Sequence, residues 1–107
     1  MKKRNELSPE EEIARTRIPN KEEGELLAVV TEMLGEGRMR VECEDGKVRI
    51  GRVIGKLRKR VWIRVGNLVL VKPWVVEGDR KCDIIHRYTP TQANWLKKKG
   101  YAQNLEF

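Results

Sequence analysis

Arg38-Met39-Arg40-Val41-Glu42-Cys43-Glu44-Asp45-Gly46-Lys47-Val48-Arg49-Ile50-Gly51-Arg52-Val53-Ile54 is the stretch on which the fold turns. Its first half alternates, with Met39, Val41 and Cys43 on one side and Arg38, Arg40, Glu42 and Glu44 on the other. Successive side chains of a strand point to opposite faces, so this is a half-buried strand. Asp45-Gly46 follows, a strong short hairpin signal, because glycine takes the positive φ of a tight turn without steric cost. Lys47 to Ile54 resumes the alternation, with Val48 and Ile50 expected inward and Arg49 outward. Gly51 falls where a bulge or sharp coil is useful.

Toward the amino end, Glu25 to Leu34 is apolar and β-branched in its middle and stops at the turn Gly35-Glu36-Gly37. It gives the first of three meandering strands. Residues 1–23 are mostly polar, and their isolated Leu7, Ile13 and Ile18 show no useful period. They are expected to form a flexible arm, in which Ser8 to Glu11 could close a capped helical turn with little to pack against.

Toward the carboxyl end, Gly55 to Lys59 interrupts the sheet as a helical turn or loop. Arg60 to Val65 then alternates again, with Val61, Ile63 and Val65 inward and Arg60, Trp62 and Arg64 outward, and reads as the fourth strand. After Gly66-Asn67, Leu68 to Val71 forms an apolar fifth strand ending at Pro73, and Lys81 to Tyr88 is a last extended piece. Thr89-Pro90-Thr91-Gln92 is a capping box with proline at the first helical position, Lys97-Lys98-Lys99 complement the carbonyl end of the dipole, and Gly100 stops the helix. The expected fold is all-β with an added helix. A five-stranded barrel of the OB type spans 24–88, and a carboxyl-terminal helix and tail at 89–107 pack on it.

The 107 residues carry a net charge of +7, and a hydrophobic content of 39% suffices for one core. The charge is concentrated: between Gly46 and Val76 there are nine Lys or Arg and no Asp or Glu. Such a stretch with an aromatic among the cations suits a polyanion, RNA or single-stranded DNA. Cys43 and Cys82 form no CxxC pair and His86 is the sole histidine, so no structural zinc site is expected. The charged amino end has no apolar core segment and no apolar run exceeds five residues, so neither signal peptide nor membrane span is expected. The expected location is the cytoplasm.

The chain offers little for catalysis. A lone imidazole beside Ile84 and Ile85 has no partner base or metal set, and Gly35-Glu36-Gly37 lacks the helix and lysine of a phosphate loop. No enzymatic activity, cofactor or metal is expected. For binding, alternation puts Arg60, Trp62 and Arg64 on one face, about 7 Å apart from one to the next. A base stacking on the indole would contribute roughly 1–3 kcal/mol while the guanidinium groups meet phosphates. Arg40, Arg49 and Arg52 are expected on the outer sides of neighbouring strands, extending this surface. Trp74 is expected in the core or at its rim.

These blocks also carry a resemblance. Met33-Leu34-Gly35-Glu36-Gly37-Arg38, Asp45-Gly46, the string Gly55-Lys56-Leu57-Arg58-Lys59-Arg60-Val61-Trp62-Ile63, then Asp83-Ile84-Ile85 and Arg87-Tyr88 together resemble archaeal and eukaryotic translation initiation factor 1A. The bacterial initiation factor 1 is similar over the barrel alone. The resemblance implies an OB fold with an added helix that binds small-subunit ribosomal RNA at the decoding (A) site. There the family discourages premature entry of elongator tRNA and supports initiator tRNA binding beside other initiation factors. A monomer with no membrane partner is expected. Carried over by position, the RNA-facing segment falls on Lys56, Arg58, Lys59, Arg60, Trp62 and Arg64. The long acidic carboxyl tail of eukaryotic members has no counterpart here, which gives the chain an archaeal look. The competing expectation is a general single-stranded nucleic-acid binder or RNA chaperone. Those display several aromatics on one sheet face, whereas this chain has six aromatics in all and one clear candidate.

Overall fold

A computed structural model describes residues 8–58 and 62–107; within α2 the side chains of Lys56 and Arg58 are not described. Five strands close into a barrel, β1 (Leu26–Gly35), β2 (Arg38–Cys43), β3 (Val48–Val53), β4 (Leu68–Pro73) and β5 (Lys81–Arg87), in the order β1-β2-β3-β5-β4. All neighbours run antiparallel except β3 and β5, which are parallel. This Greek-key closure leaves no long free edge and is the OB architecture. Among the described residues, α1 (Pro9–Ala14), α2 (Gly55–Arg58), α3 (Pro90–Lys98) and a 3-10 turn at Lys21–Glu23 accompany the barrel.

The strand count matches the sequence reading but the membership does not. Arg60 to Val65 was expected to be the fourth strand. Lys59, Arg60 and Val61 lie outside the described residues, and Trp62 to Arg64 have no regular structure and lead into a turn. Ile63 does turn inward, but Val65 is exposed. The missing strand is supplied by Lys81–Arg87, which closes the barrel between β3 and β4.

The other correction is the phase of β3. Val41 faces Arg49 and Met39 faces Gly51 across the β2–β3 ladder, and directly opposed residues share a face. Met39 and Val41 are buried, so Arg49 and Gly51 point inward while Val48, expected inward, is exposed and Ile50 is half-buried on the outer face. Gly51 has no side chain because an added Cβ would lie 2.8 Å from Ile84 Cδ1 and 2.9 Å from Cγ1.

Two apolar clusters hold the molecule. Ala28, Val30, Met39, Val41, Val69, Val71, Cys82 and Ile84 fill the barrel. Leu27, Val29, Leu68 and Leu70, one residue out of phase, face the other way and are covered by Tyr88, Leu96 and Leu105. That is why β1 and β4 read as continuous apolar runs: both of their faces are buried, one by the barrel and one by α3 and the tail. The Thr89/Gln92 capping box of α3 forms as the sequence specifies.

Residues 8–23 have more to pack against than their composition suggests. Ser8 and Glu11 form a capping box at α1, and buried Gln92 of α3 donates from Nε2 to the Glu12 carbonyl at 3.0 Å. Tyr88 donates its hydroxyl to the Arg17 carbonyl, and Arg17 pairs at 3.1 Å with the buried Glu25 carboxylate. The described part of the arm thus touches the barrel through polar contacts to α1 and its following loop, which hydropathy does not register.

Strand directions assign each loop to an end of the barrel. β3 and β5 run the same way and β4 runs against them. The 54–67 connection therefore lies at one end with the 35–38 turn. The β2–β3 hairpin and the β4–β5 loop, residues 74–80, lie at the opposite end.

Candidate nucleic-acid interface

Trp62 is the best-placed candidate side chain: it is 80% exposed, so neither α3 nor the described part of the arm covers it. Exposed as it is, its backbone is held. Arg87, at the end of β5, donates from Nη1 to the Trp62 carbonyl at 2.9 Å. Next along, Ile63 is buried in the barrel cluster, which anchors the segment by an apolar side chain. Then the Arg64 N–H donates to Asn67 Oδ1 at 2.8 Å and the Asn67 N–H to the Arg64 carbonyl at 3.1 Å. Gly66 and Asn67 are in turn bonded to β1, through Gly66 N–H to the Val30 carbonyl and Val30 N–H to the Asn67 carbonyl. An indole displayed from a backbone held at its own carbonyl and along the residues that follow loses little freedom when a flat partner stacks on it.

Arg64 is exposed beside Trp62. α2 carries Lys56 and Arg58 at the same end of the barrel, with Leu57 packed against the core. Lys59 and Arg60, the other two cations of this loop, lie outside the described residues. Arg40 is exposed on the outer face of β2 and pairs with Glu32, its cross-strand neighbour on β1. Arg52 is exposed too, but turns toward β5, with its guanidinium 5.2 Å from the Trp74 ring centre and 3.7 Å from Asp83.

Arg49 must be withdrawn from the interface. Its side chain is 4% exposed and points into the opposite end of the barrel. There it donates to both Asp45 oxygens, at 2.9 and 2.8 Å, and from Nε to the Gly78 carbonyl at 2.6 Å. The Arg49 hydrogen bonds hold the Asp45 carboxyl below its ordinary range, and that carboxylate raises the guanidinium further. This is a structural ion pair, buried and placed at the end of the barrel away from Trp62. The sequence reading missed the brace that Arg87 provides, because only barrel closure brings the end of β5 to Trp62.

Nothing in the described chemistry resembles a reactive centre. Cys43 and Cys82 are free and buried, and burial pushes the Cys82 thiol up to about 12, which keeps it protonated and inert. Among the described residues no three His, Cys, Asp or Glu side chains gather as a metal would need. No helix among them is long and apolar enough to cross a membrane.

Comparison with known proteins gives a consistent result. Translation initiation factor 1A of Methanococcus maripaludis (strain C7) is 48% identical over 98 residues, covering 92% of this chain and 94% of that protein. The factor from Archaeoglobus fulgidus is 50% identical over 95 residues, 89% of this chain and 97% of its own length. That from Thermococcus kodakarensis is 48% identical over 100 residues, 92% and 86% of the two chains. Among solved structures, translation initiation factor 1 from the Wolbachia endosymbiont of Brugia malayi aligns with a TM-score of 0.49 and 30% identity, over 64% of this chain and 82% of that one. The family model for translation initiation factor 1A and its bacterial counterpart, initiation factor 1, matches residues 14–106, and the chain belongs to that family.

Proposed function

We propose that this protein binds the small ribosomal subunit during initiation and lays the 54–67 end of its barrel on ribosomal RNA at the decoding site. In this reading it works by occupation. A chain seated there excludes elongator tRNA sterically and leaves the neighbouring site to initiator tRNA and its companion factors. No bond is made or broken, and the protein needs no cofactor. It acts as a monomer.

The observation that carries the reading is Trp62, 80% exposed yet fixed through its own carbonyl by Arg87, within a stretch that has cations and no acids. Exposing an indole to water is unfavourable unless a partner covers it, and a nucleobase offers a flat apolar face. Lys56, Arg58, Lys59, Arg60 and Arg64 supply the phosphate contacts in this reading, with Arg40 at its margin, while Arg52 is engaged by Asp83 and Trp74.

Chemical footprinting of small subunits, with and without the protein at physiological salt, tests this. Protection confined to the decoding site, and reduced by a joint Arg60→Ala and Trp62→Ala change, is the expected result. Diffuse protection would instead mark a general single-strand binder. With about six phosphate contacts, log affinity should fall against log salt with a slope of roughly −4 to −5. A flat salt titration would remove the electrostatic basis of the proposal.

A further inference from the structure

The end of the barrel opposite Trp62 carries a second exposed surface of different chemistry. In the β4–β5 loop Val75 is fully exposed and Val76 is 74% exposed, beside Trp74. Two adjacent aliphatic side chains standing in water are expected in a slack loop, but this loop is tightly built. The Trp74 N–H donates to the Lys81 carbonyl at 3.0 Å, and the Glu77 carbonyl accepts from the N–H groups of Arg80 and Lys81 at 3.0 and 2.9 Å. Arg49 holds the Gly78 carbonyl from inside the barrel, and Trp74 Nε1–H donates to Asp83 at 3.0 Å. Gly78 packs so closely that an added Cβ would stand 2.4 Å from the Trp74 carbonyl oxygen. Beside the valines opens a shallow hollow of about 470 Å³, floored by Trp74 and Pro73 and edged by Arg52, Lys72 and Asp83.

We propose that the Trp74–Val76 tip is a protein-docking site, taking an apolar side chain from a loop of a protein component of the small ribosomal subunit. Charge selects the class of partner. Unlike the 54–67 connection around Trp62, which holds no acid, this end has its cations paired: Lys47 with Asp79 at 2.7 Å, Lys72 with Glu23 at 3.1 Å, and Arg80 and Lys81 with Glu77 at 3.1 and 3.2 Å. A phosphate backbone would have to compete with each of these acids, and valine has no π face on which a base could stack. A mixed-charge rim around aliphatic groups is the composition of a protein interface.

Area argues against a second copy of the chain as the occupant. Two valines and part of an indole fall far short of the roughly 1,600 Å² that holds a stable complex by itself. The tip suffices where the other end is already bound, because the second contact is then intramolecular and has a high effective concentration. The inference therefore rests on the proposed function: RNA grips one end of the barrel and a protein meets the other.

Photo-cross-linking separates the two claims. The chain would be prepared with p-benzoylphenylalanine at position 75 or, separately, at position 62, and bound to small subunits purified from Archaeoglobus fulgidus. The position-62 probe should label RNA and the position-75 probe a ribosomal protein. Position 75 labelling RNA, a second copy of the chain, or nothing, while position 62 labels RNA, overturns the docking site and leaves the proposed function standing. Failure of the chain to bind the subunits at all overturns both. In a binding titration, joint Val75→Ser and Val76→Ser changes should weaken affinity about tenfold through lost apolar burial. The thermal midpoint and the salt slope should not move, and an unchanged affinity would equally overturn the site.

Discussion

Arg49 and Asp45 form a bidentate ion pair across the β2–β3 hairpin, at 2.9 and 2.8 Å, with the guanidinium buried and its Nε spent on Gly78 in the β4–β5 loop. One side chain thereby ties together the two loops that make up one end of the barrel. Removing it leaves an acid without its partner and the Gly78 carbonyl without this donor.

Arg49→Met should therefore destabilise the fold by roughly 3 kcal/mol, at the lower end of what breaking a buried pair costs because Asp45 is partly exposed. Arg49→Lys should recover little, since an ammonium cannot span two carboxylate oxygens and a third acceptor in one plane. Urea denaturation measures both. If Arg49→Lys were as stable as the parent, the fork geometry would not be what matters.

Trp62→Ala should leave stability within about 0.5 kcal/mol of the parent, because the side chain is 80% exposed. Its effect should appear in binding, as a loss of about 1–3 kcal/mol for one stacked base. Thermal melts and subunit binding titrations on the same preparation separate the two. A lost melting transition would mean the indole is structural.

How far the fold was legible depended on which residues had to report it. β1 and β2 were readable because apolar side chains occupy their inward positions without exception. β3 was not, because its inward positions are Arg49, Gly51 and Val53: a cation neutralised by a turn residue and a glycine carry no hydropathy signal. Val48 and Ile50 supplied a false one. The same blindness applies to α1, whose docking includes the hydrogen bond from Gln92 to the Glu12 carbonyl. At the candidate interface the outward turn of Trp62 was legible from charge and alternation. Its brace by Arg87, 25 residues away in sequence, was not, because only barrel closure brings the two together.

Gly51→Ala tests the inner packing directly. The new methyl would meet Ile84, which is fully buried and cannot swing away, and it would also lie 3.4 Å from Cys82 Sγ. A cost of about 1–3 kcal/mol is expected for overpacking of this kind. Ile84→Val should relieve part of it, so a double-mutant cycle should give a favourable coupling. Strict additivity would show that the strain lies elsewhere.

His86 gives the fold a pH dependence whose sign follows from its surroundings. It lies on β5, edge-on to the Tyr88 ring at 4.8 Å, and burial lowers its pKa below 6.5, with the positive charges of Arg17 and Arg87 adding to the effect. The unfolded chain takes up a proton near 6.5 while the folded chain resists it, so below that value the unfolded state binds more protons and stability falls with falling pH. The contribution is fully present above 6.5 and is lost through the window beneath it. Asp45, held low chiefly by the Arg49 hydrogen bonds, loses its share only as pH falls below 3.8. Melting temperatures taken at about pH 7.5 and about pH 5.5 should drop for the parent and drop less for His86→Gln, which cannot titrate. An equal drop in both proteins would assign the dependence to another group.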